Sequence, residues 1–119
     1  PYTTLFRSGF AFPLWSHQAD EYPTSADTIK MRALGEKFLW NFQYPGADSM
    51  LSTWKLKDVS PSNATGRELN DPNGKDDFVN PGTMKLPVGR PVIVDVASKD
   101  VIHNLALVPM RSAQDASRV

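Results

Sequence analysis

The stretch "LPVGRPVIVDVASKDVIHNLALVPM", Leu86 to Met110, alternates apolar and polar residues twice over. Val92, Val94 and Val96 fall on one side of an extended chain, because strand side chains point alternately to opposite faces. Val101, His103, Leu105 and Leu107 do the same in a second strand, Val101 to Val108, and Leu86-Pro87-Val88-Gly89 reads as the bend that leads into the first. His103 is therefore a single imidazole on an apolar face. A neutral imidazole can be buried when both ring nitrogens find partners, and spacing alone favours that structural role over a ligand's.

The same period recurs upstream. Ile29, Met31 and Ala33 share one face and Lys30 and Arg32 the other, which predicts a half-buried strand. Gly35 interrupts it, and "KFLWNFQY" (37–44) places Phe38, Trp40, Phe42 and Tyr44 on one face of a second strand that "YPG" ends with turn chemistry. Four aromatics facing one way are usually core, with a stacking platform for bases or sugars as the rival. From Ala47 to Thr83 the chain is polar and punctuated by "PSNATG", "NDPNGKDD" and "NPG", which predicts a long loop with one short strand near Trp54 to Leu56. No long helical period is visible, so the expected class is all-β, a sandwich.

Composition narrows the function. At 119 residues the chain is one domain at most, and its 40% hydrophobic content suffices for a modest core. Thirteen basic and thirteen acidic side chains balance, so nothing steers the molecule toward nucleic acid or an anionic membrane surface. With no cysteine there is no disulfide, thiolate-bound zinc, iron–sulfur cluster or cysteine nucleophile in these residues. No apolar run approaches the ~20 residues that cross a bilayer; "GFAFPLW" (9–15) is short and broken by Pro13.

Several motifs are set aside on physical grounds. Ser98 and Asp100 neighbour His103, but no nucleophile elbow is present, and neighbours on one strand seldom form a triad. "DPNGKDD", Asp71 to Asp77, is oxygen-rich yet lacks the spacing and terminal glutamate of a calcium loop, so it reads as a solvated turn. Asn63-Ala64-Thr65 fits a glycosylation sequon that matters only in a secreted eukaryotic chain. "PYTTLFRS" (1–8) resembles one reading frame of a common sequencing-library adapter and is expected to be a non-native tail.

Taken in order, "GFAFPLW", "ALGEKFLWNFQYPGAD", "MKLPVGRPVIVDVASKDVIHNLALVPMR" and "AQDA" resemble subunit II of the haem–copper cytochrome c oxidases over nearly all of 9–116. The resemblance implies a cupredoxin-like Greek-key β-sandwich, incomplete at its C-terminus, over 28–119. Residues 9–27 would be a linker following a transmembrane hairpin that precedes them. The domain would lie on the outer, periplasmic face of a bacterial plasma membrane, or the intermembrane-space face of the mitochondrial inner membrane, with the bacterial setting favoured.

The resemblance also implies partners and a site. The whole protein would accept electrons from cytochrome c at a binuclear copper centre (CuA) and pass them to haem in subunit I. His103, in "DVIH", would be the first copper ligand; the others in that family belong to a later segment with two Cys, a His and a Met. Thiolates couple the coppers and select the metal, so a chain ending at Val119 is expected to bind copper weakly and to be inactive alone. Trp40 and Phe38 would carry the incoming electrons; the family often has Trp where Phe38 stands, which favours Trp40. Asp100 and Asp115 would contact subunit I. "QDASRV" departs from the family's "QDA" followed by Ile-Pro-Gly, and its last residues are expected to be a truncation scar. Missing strands would leave an open edge and apolar faces that invite aggregation. The rivals are a copper-free quinol oxidase subunit II-like domain and a non-redox β-sandwich binding module.

Overall fold

The computed structural model describes residues 2–19 and 21–117. Pro1 of the expected tail, Asp20 of the expected linker, and Arg118 and Val119 of the expected scar lie outside the described residues.

Among the described residues six strands form two sheets. β1 (Ile29–Glu36), β2 (Leu39–Tyr44), β3 (Phe78–Pro81) and β4 (Val92–Ser98) make a mixed sheet in the order β3-β2-β1-β4. β1 and β2 are a hairpin in which Gly35 faces Trp40 and Ala33 faces Phe42. β4 runs parallel to β1, setting Val92, Val94 and Val96 beside Ile29, Met31 and Ala33. β5 (His103–Leu107) and β6 (Ser112–Ala116) form a separate antiparallel pair, joined through a 3₁₀ turn, Val108–Met110, that closes on Arg111 in the left-handed region.

The two sheets meet across an apolar interior. Met31, Ala33, Phe42, Tyr44 and Leu105 are its buried centre, with Trp40, Met84, Leu86, Val92, Val94 and Val96 packed against it. Leu105 comes from the second sheet and the rest of the centre from the first, so the class is the expected one: a cupredoxin-like β-sandwich, mostly strand. Fully burying a side chain of Met31's size contributes about 1.5–3 kcal/mol. Phe42 is buried and Trp40 half-buried in this interior, which counts against an aromatic binding platform.

The opposite face of the main sheet corrects the sequence reading. Arg32 was expected on an exposed polar face, but it is buried, as are Asn41 and Gln43. The polar segment between β2 and β3 folds over that face instead of extending into solvent. Arg32 Nη1 donates to Gln43 Oε1 and to the Ser52 carbonyl, both at 3.3 Å. Gln43 Nε2 and the Ser52 amide donate to Asp77 Oδ2 at 2.6 and 2.9 Å. The Arg32 guanidinium lies 5.2 Å from the centre of the Trp54 ring, a cation–π distance. Burial pushes the Arg32 pKa down, and Asp95 and Asp77 oppose that.

Local chemistry explains how so polar a segment folds. Asp71 caps the 3₁₀ turn Pro72–Gly74 by accepting from Asn73 N at 3.0 Å, and also accepts from Thr53 N at 2.8 Å. "DPNGKDD" is thus a capped turn, though its last residue, Asp77, is buried and not solvated.

Four further differences separate the fold from the sequence reading. β3 is four residues long and ends in Pro81, so it carries little periodic signal; its partner β2 specifies it. β6 has no apolar alternation and exists because β5 pairs with it. Gly35, read as an interruption, is buried inside β1. The expected strand near Trp54 is a single bridge to Arg67.

An α-helix, α1 (Tyr2–Ala19), spans most of the expected tail and linker, with Pro13 inside it. Leu5, Phe6, Phe10, Phe12, Leu14 and Trp15 are exposed along it, and the Phe6 and Phe10 rings pair one turn apart at 4.8 Å. Among the described residues no helix is long and apolar enough to cross a membrane.

Candidate functional site

β5 begins at His103, directly after the bend that follows β4, and this sets the imidazole at one end of the sandwich. The ring is largely enclosed, its edge toward Trp40 with centroids 5.9 Å apart. Trp40 in turn stacks on Phe42 at 6.5 Å.

The ring is held by Asp100, whose Oδ1 lies 2.7 Å from His103 Nε2. The same carboxylate accepts from Val101 N at 2.7 Å and, through Oδ2, from Lys37 N at 2.9 Å. These hydrogen bonds, that of His103 foremost, hold the Asp100 carboxyl well below the usual aspartate range. An ionised carboxylate only accepts, so Nε2 must donate, and a neutral His103 then has its lone pair on Nδ1. Nδ1 has no hydrogen-bond partner among the described residues.

The loop carrying Asp100 is itself fixed. Ser98 Oγ bonds the Val101 carbonyl, and Asp100 N donates to Ser98 Oγ at 3.3 Å. Ser98 therefore serves as a loop brace, consistent with setting aside a triad.

The other expected site residues separate into two groups. Phe38 was expected on the aromatic face of β2; it sits instead in the two-residue turn of the β1–β2 hairpin and is 98% exposed. A turn residue is released from the strand's alternation, which is why the period misplaced it. It follows Lys37, whose amide Asp100 holds, so it is near the His103 end of the molecule. Asp115 is exposed on β6, where its Oδ1 accepts from Asn104 Nδ2 at 2.7 Å. Its partners are thus on the hairpin β5–β6, apart from the Asp100–His103 pair.

Sequence reasoning missed Gly35, where a Cβ would stand 3.1 Å from the His103 ring, and the Glu36–Lys99 ion pair at 2.8 Å beside it. A glycine inside a strong strand pattern is the signal that could have found the first, since it marks a close approach.

The donor set tests the implied copper. A carboxylate on one imidazole nitrogen with the other nitrogen free is the arrangement common to metal-bound histidines. His103 fits as one ligand. Among the described residues no group of three His, Cys, Asp or Glu side chains converges, so nothing here completes a metal site around it.

Comparison with known proteins gives one informative similarity. No family model matches the chain, and no solved structure matches it. Over 91 residues it is 36% identical to the alternative cytochrome c oxidase subunit 2 of Bradyrhizobium diazoefficiens. That alignment covers 76% of this chain and 33% of the relative, so the chain spans about a third of the curated protein it matches. A cupredoxin-like sandwich with this identity across three quarters of its length makes the chain a cytochrome c oxidase subunit II-like protein.

Proposed function

We propose that this chain is part of the electron-accepting domain of a cytochrome c oxidase, in which His103 supplies one imidazole to a binuclear copper centre. The whole protein would take electrons from cytochrome c and deliver them to haem in subunit I, as an oxidoreductase subunit on the periplasmic side of a bacterial membrane. The observation that carries the reading is the Asp100–His103 pair, which leaves Nδ1 as a lone-pair donor. When bound, the copper centre supplies one-electron redox chemistry.

The chain's own residues do the rest. Asp100 holds the Nε2 proton and fixes the ring. Trp40, edge-on to that ring, is the group through which electrons would reach it, and exposed Phe38 presents the outer end of that route. Asp115, with a free face on β6, would contact subunit I, and Asp100 would do so through its exposed side. The remaining copper ligands would come from sequence outside this chain, so the chain alone is expected to hold copper weakly.

Sequencing the gene beyond the Val119 codon tests this. A C-x3-C-x3-H-x2-M pattern supports the reading. A continuing domain without it would sink the copper centre and favour a copper-free relative.

A further inference from the structure

Gly35 is buried inside β1, at a position where no left-handed backbone conformation calls for glycine. Glycine weakens a strand interior, so space explains its presence. A Cβ there would stand 3.1 Å from both Cδ2 and Cγ of His103 and 3.2 Å from its Cβ. That is inside ordinary van der Waals contact, and the ring would have to move.

Gly35 and the next two residues hold the loop that leads into His103. Lys99 N donates to the Gly35 carbonyl at 2.9 Å. Glu36 Oε2 accepts from Lys99 Nζ at 2.8 Å, while its Oε1 accepts from Asn41 Nδ2 at 3.1 Å. Lys37 N donates to Asp100 Oδ2 at 2.9 Å. Three consecutive hairpin residues therefore grip Lys99, Asp100 and His103.

We propose that Gly35–Lys37 is a template that sets the plane of the His103 ring, with Gly35 as the positioning residue. The template keeps Nε2 on Asp100 and Nδ1 available before any metal arrives. This rests on the reading of His103 as a ligand. The Glu36–Lys99 pair is partly exposed, so it steers the loop more than it stabilises the fold.

The test is NMR of the metal-free 119-residue chain, labelled at histidine, at mildly alkaline pH. The wild type is expected to show contact between Gly35 Hα and His103 Hδ2 and a single Nε2–H tautomer. In Gly35→Ala both tautomers are expected, with the amide signals of β2 and β4 unchanged. If that variant does not fold, Glu36→Gln combined with Lys99→Met loosens the template outside the core and is expected to split or broaden the His103 ring signals. A wild-type ring without the Gly35 contact overturns the proposal. So does a Gly35→Ala ring that keeps one tautomer, or a double variant whose ring signals match the wild type. The copper content of the complete gene's product separates the two readings: copper binding that is indifferent to His103 sinks the ligand role and leaves the positioning result standing.

Discussion

One carboxylate of Asp100 serves two parts of the chain, with Oδ1 on His103 Nε2 and Oδ2 on the backbone amide of Lys37, 63 residues away. It ties the β1–β2 turn to the start of β5. Removing it should free both the turn and the ring.

Asp100→Asn tests this through pH. The folded-state pKa of Asp100 lies below its unfolded value, so its stabilisation is complete above about pH 4, the ordinary aspartate range. It declines as pH falls further and is gone beneath the folded value. Urea midpoints should show wild type more stable than Asp100→Asn at pH 7, with the gap narrowing in acid. A gap that is constant from neutral pH into acid would contradict the role.

Arg32 anchors the covering segment through Gln43 and Ser52, and Asp77 shares those partners. Arg32→Ala leaves the buried oxygens of Gln43 and Ser52 without a donor, which costs about 1–3 kcal/mol for each group left unpaired. Lys30→Ala, exposed on the same strand, should stay within about 0.5 kcal/mol of wild type. Chemical denaturation of both variants measures the contrast; equal losses would mean that Arg32 is solvated.

The aromatic row divides at the hairpin turn. Phe42 is buried, and Phe42→Ala should cost about 3–5 kcal/mol. Phe38 is almost fully exposed, and Phe38→Ala should change stability by less than about 0.5 kcal/mol. Denaturation midpoints that fall equally for the two would restore Phe38 to the core.

These contrasts also show what the sequence could reveal. β1, β2, β4 and β5 were legible because each keeps an apolar period of two where a face meets the interior. β3 and β6 were not, since both are short and are specified by pairing partners more than by their own side chains. Burial of Arg32 was hidden because its cover is polar: it donates to Gln43 and to the Ser52 carbonyl, and Asp77 accepts from both of those residues, which leaves no hydropathy signature. His103 was singled out as a candidate ligand through the "SKDVIH" motif, while its spacing alone favoured a structural histidine. Asp100 was visible as a neighbour, but its bond to Lys37 joins residues far apart in sequence, and no local pattern encodes that.

The proposed role of His103 as a copper ligand is open to direct test. The most direct measurement is the copper content of the product of the complete gene, wild type against His103→Asn, with circular dichroism confirming equal folding. Two coppers per wild-type chain, with loss of copper in His103→Asn, is the predicted result. Copper binding that is indifferent to His103, or a wild-type protein that binds none, would contradict it.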